Sequence, residues 1–187
     1  MYLTIPNLLT LLRILVVPVF AISVWYGHLV IACLLFAAAG ITDLLDGFIA
    51  RCFNQFSELG AFLDPMADKL LMTTAFILMC MSLKHLRLTI PVWVVILAIT
   101  RDVIIGLFAL RASSDYDPSQ FMPSLLGKMT TGTELVVISL TLLANAIEPR
   151  TWLDFFFPWS FYVIAGFVIL SGLHYFVRIS TPENRRQ

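Results

Sequence analysis

The sequence is short of charge. Of its 187 residues only 13% are Asp, Glu, Lys or Arg, against about 25% in an ordinary soluble domain. Hydrophobic residues make up 59% and the mean hydropathy is +0.90. A soluble domain of this size still exposes roughly 30% of its unfolded surface, and this chain lacks the polar residues to cover it. A soluble globule is therefore excluded, and so is a disordered chain. Cysteine is scarce: Cys33, Cys52 and Cys80 are widely spaced, with no CxxC pair. No disulfide framework follows, and the thiols read as small buried apolar groups. His28, His85 and His174 lie far apart, which argues against a histidine metal centre. A net charge of zero gives no bulk attraction for nucleic acid. Met1–Pro6 lacks a basic segment followed by a cleavage site, so no signal peptide is expected. There is no internal repeat and no low-complexity segment.

What is present is a series of long apolar runs. Residues 14–42 carry no Asp, Glu, Lys or Arg, too long a run for one span, and Gly27-His28 supplies a break. The pattern predicts helices over about 8–26, 29–52, 58–82, 90–111, 125–147 and 155–178. Pro91 suits a first helical turn, Ser113–Gln120 has loop composition, and Thr181–Gln187 is a polar tail. Each span approaches the ~20 residues that cross a hydrocarbon core. Helices are required there, because the alternating ~10-residue segments of a barrel are missing. The expected fold is an all-α integral membrane protein: one domain over residues 1–187, six transmembrane helices in a bundle. Lys and Arg counts set the orientation. Arg13, Arg51, Lys69, Arg101, Arg111, Lys128, Arg178, Arg185 and Arg186 fall on the side of the termini, and Lys84, Arg87 and Arg150 on the other. The termini are therefore expected in the cytoplasm. Trp25, Trp93, Trp152 and Trp159 fall near span ends, as an interfacial belt does.

The scarce charge is clustered. Asp43, Asp46, Arg51, Glu58, Asp64, Asp68 and Lys69 lie within one short stretch, although an ionisable group inside a span costs about 2.5–3.5 kcal/mol. Asp43 and Asp46 share a helix face at i, i+3, and Asp64 and Asp68 share one at i, i+4. A short link joins the two helices, so they should be antiparallel neighbours with four carboxylates converging at one membrane face. Four like charges repel strongly at low dielectric. Two divalent cations would neutralise them, and all-oxygen ligands favour Mg²⁺ or Mn²⁺ over Zn²⁺. Gly47 and Ala50 on the same stripe, and Gly60 one turn before Asp64, leave a groove beside the carboxylates; close helix packing through small residues is the alternative. Pro65 either tilts Asp64 toward the site or only marks an early turn. Lys69 either favours ionised Asp68 or snorkels to the surface.

The run Asp43-Leu44-Leu45-Asp46-Gly47-Phe48-Ile49-Ala50-Arg51, eight residues, Gly60, then Asp64 and Asp68 resembles the signature of the CDP-alcohol phosphotransferases, and all eight of its fixed positions are present. Pro6-Asn7-Leu8-Leu9-Thr10-Leu11-Leu12-Arg13 is similar to the first helix of the bacterial phosphatidylglycerophosphate synthases, and Gly127-Lys128-Met129-Thr130-Thr131 to their fifth-helix motif. The resemblance implies a six-helix bundle, usually a homodimer, with its site at the cytoplasmic membrane face of the cell's inner membrane. It implies a CDP-linked lipid donor, normally CDP-diacylglycerol, and release of CMP. It implies that Asp43, Asp46, Asp64 and Asp68 hold two metal ions, that Asn7, Thr10, Gly47, Ala50, Arg51 and Gly60 line the CDP site, and that Asp68 deprotonates the acceptor hydroxyl. Such phosphoryl transfer needs positioning and charge stabilisation more than a covalent partner.

The fourth and fifth helices are expected to decide the acceptor. Arg101, Lys128 and Arg178 are expected to bind an acceptor phosphate, since the planar guanidinium suits phosphate; a self-neutralising Arg101–Asp102 pair is the alternative. The phosphatidylglycerophosphate synthases typically carry Arg-Glu here, a second Arg eight residues on, and Gly-Lys-x-Lys-Thr with a later Gln. This chain has Arg101-Asp102, Ala109, Arg111, Thr130 and Glu134. Arg-Asp is similar to the CDP-alcohol type of cardiolipin synthase. Glycerol 3-phosphate is the first expectation for the acceptor and phosphatidylglycerol the second. A membrane prenyltransferase would use paired acidic motifs without the Asp-Gly-x-x-Ala-Arg extension. An ion transporter would place its carboxylates at the bilayer centre with inverted repeats.

Overall fold

The computed structural model describes residues 5–52, 58–115, 125–147 and 153–180. These form six helices and, among the described residues, no strand: α1 Ile5–Trp25, α2 Leu29–Cys52, α3 Glu58–Cys80, α4 Val92–Asp115, α5 Leu125–Ala146 and α6 Leu153–Ser180. Number and order follow the apolar runs. Pro91 sits just outside α4, not in its first turn, and its carbonyl accepts the Val94 and Val95 amides. Pro65 lies in the interior of α3, where its missing N–H leaves the carbonyl one turn earlier without a helical donor.

The break at Gly27 is a helix cap. Gly27 has φ 81°, its amide bonds to the Val24 carbonyl, and the His28 amide bonds back to the Ser23 carbonyl. These two bonds close α1 in a Schellman motif, with glycine at the left-handed position. The His28 carbonyl then accepts from Ala32 in the first turn of α2. The His85 ring seals the corner: its Nε2–H donates to the Val24 carbonyl at 2.6 Å.

Packing divides the chain into two compact units, Met1–Thr89 with Ile138–Thr151, and Ile90–Val137 with Trp152–Gln187. In the first, α1 packs against α2 and α3. Val17, Phe20 and Val24 of α1, Ala32, Phe36 and Ala39 of α2, and Ala67, Leu71 and Ala75 of α3 are all buried. Alanines between the larger residues let the backbones approach closely, and Phe20 and Phe36 meet with centroids 5.8 Å apart. In the second unit α4 packs against α6. Val94, Val95 and Ala98 are buried there with Phe157, Phe161, Ile164 and Val168, which recur at helical spacing.

The outward faces are apolar. Leu8, Leu12, Leu15 and Ile22 on α1, Leu34 and Ile41 on α2, Ile96 and Leu107 on α4, and Ile169 and Leu173 on α6 are all exposed. Among the described residues, Asn7–Trp25 (mean hydropathy 2.3) and Gly127–Ala146 (1.3) are long and apolar enough to cross a membrane. Hydroxyls within helices bond back to their own backbone, Ser23 to Val19, Thr131 to Gly127 and Thr133 to Met129. In lipid this satisfies each donor inside its own segment.

Candidate functional site

The first unit carries a polar stripe through its apolar interior. Asn7, Thr10 and Arg13 recur at i, i+3, i+6 on α1, so they share one face, and all three are buried. That face looks onto the aspartates of α2 and α3. Thr10 Oγ1 donates to Asp64 Oδ1. Arg13 Nη1 lies 2.8 Å from Asp43 Oδ1 and 2.6 Å from Asp68 Oδ1. Three elements thus converge on one spot: a guanidinium nitrogen from α1, a carboxylate from α2 and a carboxylate from α3.

The burial is asymmetric. The Arg13 side chain is 0% exposed, while those of Asp43 and Asp68 are 39% and 42% exposed. The cation sits on the protein side and the carboxylates face outward. Their cost in an apolar unit is offset by the opposite charge and by charge-assisted hydrogen bonds. Asp64 is likewise part-buried, Gly60 is buried one turn before it, and Lys69 is part-buried beside Asp68. Among the described residues no three carboxylate, histidine or cysteine side chains stand close enough to hold a metal by themselves. Asp46, Gly47, Ala50 and Arg51 belong to helix α2, but their side chains lie outside the described residues. What is described is an all-oxygen donor set, the chemistry that suits a hard divalent cation.

Thr10, expected beside CDP, directs its hydroxyl to Asp64. In the sequence Arg13 enters as an orienting charge and as the last residue of the first-helix motif, with no role of its own in the site. Its helical spacing from Asn7 and Thr10 is the signal that places it there.

The second unit has its own buried polar group. Arg101 of α4 is buried. Its Nη1 pairs with Asp102 Oδ1 at 2.7 Å, and its Nη2 donates to the Gly127 carbonyl at 3.4 Å and to Ser171 Oγ at 3.3 Å. Thr130 donates to the Phe167 carbonyl at 3.3 Å, and Thr130, Glu134 and Ser171 are buried. Arg101 is therefore held by α4, α5 and α6 together. Lys128, one residue beyond Gly127, is exposed. The Arg178 side chain lies outside the described residues. Ser171, which bears on the Arg101 guanidinium, has no motif around it in the sequence.

Described residues whose only regular elements are helices, with apolar exposed faces and with carboxylates of α2 and α3 brought together on the polar face of α1, define a membrane-type protein with an acidic polar site. More particularly, residues 3–173 match the family model described as CDP-alcohol phosphatidyltransferase, and the chain belongs to that family. It is 32% identical over 178 residues to the CDP-diacylglycerol--glycerol-3-phosphate 3-phosphatidyltransferase of Salmonella typhimurium, covering 94% of each chain. A protein of the same description from Shigella flexneri is 32% identical over 179 residues, again with 94% of each covered. A probable cardiolipin synthase (CMP-forming) of Drosophila melanogaster is 39% identical over 155 residues, 74% of this chain. The chain spans about half (47%) of the length of that fly protein.

Proposed function

We propose that this protein transfers the phosphatidyl group of CDP-diacylglycerol to glycerol 3-phosphate, with release of CMP. The observation that carries this reading is the gathering of Asp43, Asp64 and Asp68 from α2 and α3 on the polar face of α1. The bacterial relatives, matched over nearly the whole chain, bear the name of this reaction. Asp43, Asp46, Asp64 and Asp68 hold two divalent cations, Mg²⁺ or Mn²⁺. When bound, such ions neutralise the diphosphate and stabilise the charge of an in-line displacement. Asn7, Thr10, Gly47, Ala50, Arg51 and Gly60 line the CDP site. Asp68 accepts the proton of the acceptor hydroxyl, the hydroxyl oxygen bonds to the phosphatidyl phosphorus, and the bond from that phosphorus to the CMP oxygen breaks. Arg101, Lys128 and Arg178 bind the acceptor phosphate; the contacts of Arg101 with Asp102, Gly127 and Ser171 fix the direction of its fork. The six helices span the inner membrane as a homodimer, with termini and site in the cytoplasm.

A second reading is transfer to phosphatidylglycerol, giving cardiolipin. It is favoured by the Arg101-Asp102 dipeptide in the sequence and by the fly relative. The deciding experiment supplies purified protein in detergent with CDP-diacylglycerol, Mg²⁺ and a panel of acceptors, and measures CMP and lipid product. Phosphatidylglycerophosphate with glycerol 3-phosphate is the expected product. Product only with phosphatidylglycerol selects the second reading, and CMP release unaffected by EDTA removes the cations.

A further inference from the structure

The aspartate cluster is held from behind by a charge that the transfer chemistry does not use. Arg13 reaches Asp43 and Asp68 through one nitrogen, Nη1, at 2.8 and 2.6 Å. The two carboxylates belong to different helices, so the guanidinium ties α2 to α3 through α1. Its side chain has no exposed surface, so it is shielded from solvent and bears on the open side of the cluster through the aspartates. The outward exposure of both carboxylates, 39% and 42%, leaves the opposite side open to an incoming cation.

We propose that Arg13 is a positioning residue, a built-in counter-charge that holds Asp43 and Asp68 together while no cation is bound and opposes cations when they arrive. The inference rests on the reading above in which these aspartates hold divalent ions. Without a counter-charge, carboxylates this close repel and swing apart; a guanidinium between them removes that repulsion. The same positive charge lies just behind the ligands of any bound dication and repels it, and little solvent is present to screen it. Arg13 therefore sets the site to be assembled when empty and only moderately tight when full.

The test compares wild type, Arg13→Gln and Arg13→Lys, purified in detergent. Thermal unfolding is followed in EDTA and in saturating Mn²⁺, and Mn²⁺ binding is measured by the electron paramagnetic resonance of the free ion. Arg13→Gln should lower Tm in EDTA by about 5 °C or more, lose less than that in Mn²⁺, and bind Mn²⁺ roughly tenfold more tightly. Arg13→Lys keeps the charge on the same stripe and should return both readings toward wild type. Equal loss of Tm in both buffers with Mn²⁺ affinity unchanged or weakened overturns the proposal, as does an Arg13→Gln protein that folds in neither buffer: Arg13 is then a packing residue alone. A wild-type protein that binds no Mn²⁺ overturns the cation reading beneath it, and this result is distinct from the others.

Discussion

Asn145 pairs with Leu88 as one strand pairs with another. Its side-chain Oδ1 accepts the Leu88 amide at 2.9 Å and its Nδ2 donates to the Leu88 carbonyl at 2.8 Å. The same Oδ1 accepts the Arg87 amide at 2.7 Å, and Arg87 Nη2 donates to the Ala144 carbonyl at 2.8 Å. The loop after α3 is thus fastened to the C-terminal end of α5, and three loop backbone groups are satisfied by one side chain.

Asn145→Ala should therefore destabilise the protein by about 2–4 kcal/mol, since leaving a half-buried backbone group without its partner costs about 1–3 kcal/mol. Thermal unfolding in detergent measures the loss. Asn145→Asp keeps the acceptor and removes the donor, so it should fall between Ala and wild type.

Gly27→Ala should destabilise by about 1–3 kcal/mol. The left-handed φ of 81° costs an alanine about 1–2 kcal/mol, and its new Cβ would stand 3.2 Å from the His85 ring. Unfolding of Gly27→Ala against Gly27→Ala/His85→Ala separates the two costs. The double variant should recover only the part due to the ring.

For the transfer chemistry, Asp68→Asn should reduce kcat by about 10²–10⁴-fold, the usual contribution of a positioned base, while the unfolding profile keeps its shape. CMP release with CDP-diacylglycerol and glycerol 3-phosphate reads the effect. Near-normal turnover would remove Asp68 from the proton transfer.

For the acceptor site, Arg101→Ala should raise the acceptor KM by roughly ten- to a hundredfold, the equivalent of one lost charge-assisted hydrogen bond, with the KM for CDP-diacylglycerol little changed. Arg101→Lys should not restore it, because a point charge cannot reproduce a planar fork gripped from several sides. An unchanged acceptor KM would leave Arg101 as a structural tie to Asp102, Gly127 and Ser171.

The six helices and the shared face of Asp64 and Asp68 were legible in the sequence because they depend on local quantities: hydropathy over a span, and an i, i+4 spacing that any helix turns into one face. The corner at Gly27 was legible for the same reason. The eight positions of the signature, Asp43 to Asp68, identified the family on their own. The tertiary structure alone decided which side chain meets which across helices. Arg13 and Asp68 are 55 residues apart, Arg101 and Ser171 are 70 apart, and Asn145 and Leu88 are 57 apart. Such partners are chosen by how each helix is rotated about its axis when its neighbours pack, and no spacing along the chain encodes that rotation. A periodic pattern says that Arg13 lies on the same face as Thr10; only the packing of α1 against α2 and α3 places that face over the aspartates.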